Sequence, residues 1–194
     1  MSVIFALLCA LFASLVLASH RGVRALTQRR AGRASGYLGA AASAARRADA
    51  TALAALAPSS THLGSALTAA LEARAAGGRP SLAVREQLIS TRALAANVLT
   101  PLRGGATLGS ALGLAGALLA YLAGPPETFP LEQLEQGGIE LARMGRAALS
   151  IVAGLGVHAY GMQAYAALRR DAREILSELG ELEEIVAGAE EIGA

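Results

Sequence analysis

Three strongly apolar stretches of the chain carry no Asp, Glu or Arg, and they limit what it can fold into. They are residues 2–19, residues 104–123 (GGATLGSALGLAGALLAYLA) and residues 147–168 (AALSIVAGLGVHAYGMQAYAAL). A helix rises about 1.5 Å per residue, so even the shortest of these runs about 27 Å, the thickness of a hydrocarbon core. The expected fold is therefore an all-α membrane protein with three transmembrane helices.

Composition agrees with helices and opposes a barrel. Of the residues, 54% are hydrophobic, only 4% are aromatic, and tryptophan is absent. Small side chains let helix backbones approach closely. A membrane β-barrel needs aromatic girdles and period-two alternation instead. Cys9 is the single cysteine, so the chain closes no disulfide within itself. It reads as a small lipid-buried residue rather than a reactive thiol.

The first run has two readings. A cleaved signal peptide would carry basic residues before its apolar core, and only Met1 and Ser2 precede Val3. The arginines Arg21, Arg24, Arg29, Arg30 and Arg33 follow the run instead, which favours a retained anchor. All 17 basic residues are arginine, and their placement orients the spans. Twelve lie between the first and second spans, none lies in 124–138, and Arg169, Arg170 and Arg173 open the tail. The expected topology is N-out. It runs as span 1–19, cytoplasmic helical domain 20–103, span 104–123, external hairpin 124–146, span 147–168 and cytoplasmic helix 169–194. Arg143 and Arg146 depart from the pattern near the outer end of the third span, where Glu140 can pair with Arg143.

The cytoplasmic part reads as helical. No glycine interrupts the alanine-rich stretch between Gly39 and Gly64, until Pro58-Ser59-Ser60-Thr61 breaks it and offers caps. Gly77-Gly78 ends the next helix, and Pro80 suits the first turn of a third. That third helix heads into the second span, with a kink expected at Pro101. A cytoplasmic helix fused to a span can transmit movement. In the tail, Leu168, Ala172, Ile175, Leu179, Leu182 and Val186 repeat at heptad spacing. Such a seam buries against another helix or against copies of itself. Glu174, Glu178, Glu181, Glu183 and Glu184 fall on the faces left open. These are either the solvated side of a bundle helix or a docking site for a basic partner.

No catalytic constellation, phosphate loop or metal-ligand spacing emerges. His20, His62 and His158 are scattered, and no enzyme, cofactor, metal or nucleic-acid partner is expected. A membrane-embedded carboxylate usually marks a proton path. None of the three runs contains one. Their polar groups are Thr107, Ser110, Ser150, His158 and Gln163. A histidine there either titrates or, more commonly, hydrogen-bonds a neighbouring helix or faces a vestibule.

The layout resembles the MotA/TolQ/ExbB proton-channel family, on the ExbB/TolQ side. LGLAGALLA (residues 112–120) is similar to the family's "GLLGTV" core, with Gly113 and Gly116 in place. TRALAANVLTPL resembles the lead-in to that span, and GIELARMGRAALSIVAGLGVHAYGMQAY resembles the third span. The resemblance implies a multi-pass protein of the bacterial inner membrane. It implies a homo-oligomeric ring, a pentamer, around a dimer of an ExbD/TolR-like single-span partner that supplies a membrane aspartate. It also implies a pore lined from Thr107, Gly113, Gly116, Ala117, Ser150, Ile151 and His158. Ala117 stands where the family has a second-span threonine, and the third-span threonine falls near Ile151, beside Ser150. Either other polar groups line the pore, or the chain is a non-conducting scaffold of a membrane assembly. A self-assembling pore-former is a weaker third reading.

Overall fold

A computed structural model describes residues 2–27, 34–47, 49–57, 61–122 and 136–192. Of the described residues 95% are helical, and none forms a strand. The helices are α1 (Ser2–Gly22), α2 (Ala34–Arg46), α3 (Ala50–Leu56), α4 (His62–Ala75), α5 (Pro80–Leu122) and α6 (Gln136–Ile192). A π-helical turn, Val23–Thr27, extends α1.

Local signals explain most boundaries. Thr61 caps α4, its side chain accepting from the Gly64 amide at 3.1 Å. At the other end of α4, Gly77 takes a φ of 73°, the left-handed conformation that glycine adopts without steric cost. The Gly78 amide donates to the Ala73 carbonyl at 2.8 Å and the Gly77 amide to Arg74 at 3.1 Å, which makes a Schellman stop. Pro80 then opens α5, where its missing N–H costs nothing.

Several expectations need correction. The alanine-rich stretch is not one helix. Helix α2 ends at Arg46, and Asp49 starts α3 by accepting from the Ala52 amide at 2.9 Å. Short acceptors such as Asp compete with an ongoing helix and favour its start. Pro101, the site of the expected kink, lies inside the 43-residue α5, which runs on from the cytoplasmic part into the apolar stretch as expected. Residue 123 of the expected second span, residues 124–135 of the expected hairpin and the Glu140 side chain lie outside the described residues. Residues 136–146, assigned to that hairpin, are instead the first turns of the 57-residue α6. Two helices, not three, are long and apolar enough to cross a membrane: Val3–Thr27 and Pro80–Leu122. The third run falls short because His158 and Gln163 dilute it with polar side chains.

The chain divides into two compact units, and α5 and α6 contribute residues to both. One unit comprises Met1–His20 and Thr100–Ala166. Within it α1 packs antiparallel to α5, with Ile4 near Gly116 and Leu15 near Gly105. There α6 also runs antiparallel to α5, with Val157 near Gly109 and Gly161 near Ala106. Phe12 of α1 meets Tyr160 of α6 with ring centroids 5.0 Å apart. Large apolar side chains face outward along all three helices, among them Phe5, Leu17, Leu114, Leu118, Leu149 and Val152.

The other unit comprises Arg21–Leu99 and Ala167–Ala194 and holds the larger buried core. Leu26, Leu63, Leu67, Ile175, Leu179 and Leu182 are each at most 1% exposed. Burial of such a side chain contributes about 1.5–3 kcal/mol, so this cluster holds α2, α3 and α4 against α5 and α6. Specific polar contacts fix the register. Thr27 donates to Asp171 at 3.0 Å, the Tyr37 hydroxyl to the Leu56 carbonyl at 3.2 Å, and Thr68 to the Ala57 carbonyl at 3.1 Å.

Candidate functional site

In the first unit the candidate site is the contact between residues 102–120 of α5 and 150–161 of α6. Glycines make it. A β-carbon on Gly113 would stand 2.8 Å from the Gly154 Cα and 2.9 Å from the Ser150 carbonyl oxygen. On Gly109 it would stand 2.6 Å from Val157, and on Gly161 2.8 Å from Ala106. These spacings require bare backbone on both helices.

His158, Thr107 and Ser110 hydrogen-bond within the same contact or on their own helix. The His158 ring Nδ1 lies 3.0 Å from the Ala106 carbonyl oxygen. A carbonyl only accepts, so the proton of this bond sits on Nδ1. Ser150 is 2% exposed and lies against Gly116. Thr107 donates back to the Gly104 carbonyl at 2.8 Å, and Ser110 to the Thr107 carbonyl at 2.9 Å, the local bonds hydroxyls make in apolar helices.

The residues named from sequence as pore candidates therefore divide. Gly113, Gly116, Ala117 and Ser150 are buried, and His158 is half-buried and bonded across the contact. Thr107 and Ile151 face outward. Between them the outward faces present mostly leucine and valine. Gly109, Gly154 and Gly161 are not among those pore candidates, and they complete the contact. Their signal was spacing: Gly109, Gly113 and Gly116 recur every three or four residues, as do Gly154, Val157 and Gly161. Near the start of α6, Arg146 is half-buried, and its Nε donates to the Ala142 carbonyl at 3.3 Å.

In the second unit the heptad residues Leu168, Ala172, Ile175, Leu179 and Leu182 are buried to 3% exposure or less, with Val186 packed beside them. They fill the chain's own bundle. Leu168 lies against Gly22, where an added β-carbon would come within 2.5 Å of its side chain. Glu178 was expected on an open face and is buried. It follows the heptad position Ile175 by three residues, close enough on a helix to turn inward. Glu174, Glu181 and Glu184 are exposed. At the far end Glu190 caps α5: it accepts from the Ser81 amide at 2.6 Å and hydroxyl at 2.9 Å, with Arg79 at 4.0 Å.

Among the described residues no group of three His, Cys, Asp or Glu side chains could hold a metal ion. The apolar contact offers one imidazole and one buried hydroxyl, and no carboxylate. It can pack, and it can hydrogen-bond; a proton crossing beside it needs an acid from elsewhere. No family model, curated protein or solved structure matches the chain.

Proposed function

We propose that this chain is a multi-pass subunit of a bacterial inner membrane. It forms a ring and works with an ExbD/TolR-like single-span partner in a proton-motive-force-driven assembly of the ExbB/TolQ/MotA kind. The observation that carries this reading is a glycine-packed contact between apolar stretches that lack any carboxylate, residues 104–122 of α5 and 147–168 of α6, helices that also build the helical bundle. Exposure supports membrane insertion. Only 11% of the most apolar window of α1 and 28% of that of α5 are buried by the chain itself. A soluble monomer seldom leaves so much contiguous apolar surface in water. Residues 147–164 of α6 lie alongside both helices, so they cross the same bilayer as a third span despite His158 and Gln163. Those two polar groups sit where the helix can bond a neighbour.

The test is proton flux. Proteoliposomes holding this chain and a single-span protein with an intramembrane Asp, encoded nearby, should acidify under a membrane potential. The chain alone should not. Absence of flux in both preparations overturns the reading.

One arrangement favours a second reading, a non-conducting scaffold. Ser150 is spent inside the chain's own contact, Ala117 brings no hydroxyl, and the outward faces are mostly apolar. A ring built from such faces has a dry axis, which an image of the purified oligomer resolves.

A further inference from the structure

The helical bundle of the second unit is not filled. A cavity of about 230 Å³, partly open to solvent, lies between α2, α4 and the last turns of α6. Ala41, Leu67, Ala70 and Leu182 back it and are buried; its accessible walls are Ala45 of α2, Leu71 of α4, and Ile185, Val186 and Ala189 of α6. The alanines explain the space. Their methyl groups stop short where leucine would reach across, and the backbone has not collapsed to compensate. Water gains little here, because a buried water needs two to four polar partners. An apolar cavity of about 150 Å³ already takes up benzene, so this one has room for an alkyl chain.

Two charged side chains, Arg74 and Glu190, border the cavity. They are not equivalent. Both oxygens of Glu190 are held, one by the Ser81 amide and one by its hydroxyl. Arg74 ends α4, is exposed, and among the described residues has no ion-pair partner. The charge free to meet a ligand is therefore positive. A guanidinium is matched in geometry by a carboxylate.

We propose that this cavity binds a medium-chain carboxylate of the fatty-acid class, the alkyl chain among Ala45, Leu71, Ile185 and Val186 and the carboxylate on Arg74. The site belongs to the bundle and does not depend on whether the chain conducts protons.

The probe is decanoate carrying a diazirine at its far end, applied to the full chain in lipid nanodiscs and mapped by peptide mass spectrometry. Labels are expected on Leu71, Ile185 and Val186, and unmodified decanoate should compete them away. Ala45→Trp fills the cavity and should reduce this labelling by at least about tenfold, with the helical circular dichroism unchanged. Should that variant fail to fold, Ala45→Leu reduces the same space by less and should lower labelling in proportion. Arg74→Gln should weaken competition by decanoate about tenfold, the factor for one lost charge-assisted hydrogen bond, while competition by decanol is unaffected. Labels confined to residues 3–20, 104–122 and 147–164 would mean partition into the bilayer and overturn the site. Equal effects of Arg74→Gln on decanoate and decanol, or none on either, would overturn the carboxylate assignment.

Discussion

Gly113 and Gly154 bring the backbones of α5 and α6 into direct contact: a β-carbon on Gly113 would lie 2.8 Å from the Gly154 Cα. Both obstructing atoms, that Cα and the Ser150 carbonyl oxygen, are backbone and cannot rotate away. Gly113→Ala must part the helices, and overpacking of this kind costs about 1–3 kcal/mol. Gly156, two residues beyond Gly154, meets nothing within 4 Å. There Gly→Ala should be neutral or stabilise by up to about 1 kcal/mol through helix propensity. Thermal unfolding in nanodiscs should therefore shift in opposite directions for the two variants. Equal shifts would mean that the glycines do not make the contact.

At the end of α6, Glu190 reaches the start of α5, 109 residues away in the chain, and accepts from the Ser81 amide and hydroxyl. A carboxylate at a helix N-terminus satisfies an orphan donor and meets the positive end of the helix dipole. Glu190→Ala should cost about 1 kcal/mol, the usual magnitude of a lost cap. Amide exchange of the first turn of α5 should accelerate while exchange in α4 holds. Arg79 is 74% exposed and 4.0 Å from the same carboxylate, so solvent screens it. Arg79→Ala should leave exchange unchanged, and a larger effect there than at Glu190 would reverse the assignment.

Much of this fold was legible along the chain because the signals are local. The Thr61 cap, the Gly77 stop and the Pro80 start each depend on a few neighbouring residues. The heptad spacing of Leu168 to Leu182 likewise marks the face that the bundle buries. Asp49 was equally local and was overlooked inside an alanine-rich run whose helix propensity dominates any count. Non-local facts were beyond reach. Sequence shows glycines in both apolar stretches, but only tertiary packing separates Gly154, which needs to be glycine, from Gly156, which does not. The alanines of α2 read as good helix formers. That they also leave a cavity depends on what stands opposite, in α4 and α6.

Cys9 tests the membrane placement. Its side chain is exposed in the isolated chain, yet it sits among exposed Val3, Phe5, Leu7 and Phe12. A bilayer would cover all of them. In intact vesicles Cys9 should resist a charged, membrane-impermeant maleimide from either side and react with a lipid-soluble one. In denaturant both reagents should react. Rapid modification by the charged reagent in intact vesicles would place α1 in water.

Ala117 separates the two functional readings. It is 9% exposed, one residue after Gly116, whose added β-carbon would lie 2.9 Å from Ile4 and 3.1 Å from Ser150. Thr107 shows how a hydroxyl behaves on this helix, bonding back to a carbonyl of the preceding turn. A threonine at 117 can do the same toward Gly113. On the scaffold reading Ala117→Thr then adds a satisfied hydroxyl to a packed contact, and flux with the acidic partner stays at the level of the starting protein. The cost should be about 1–3 kcal/mol of stability from crowding, visible as a lower Tm. On the conducting reading the added hydroxyl gives water and the partner's carboxylate a further hydrogen-bonding group, and flux rises. Measuring Tm and flux on the same proteoliposome preparation keeps the two effects apart. A rise in flux despite a lower Tm argues for a channel limited by its missing hydroxyl, and a lower Tm with unchanged flux argues for a scaffold.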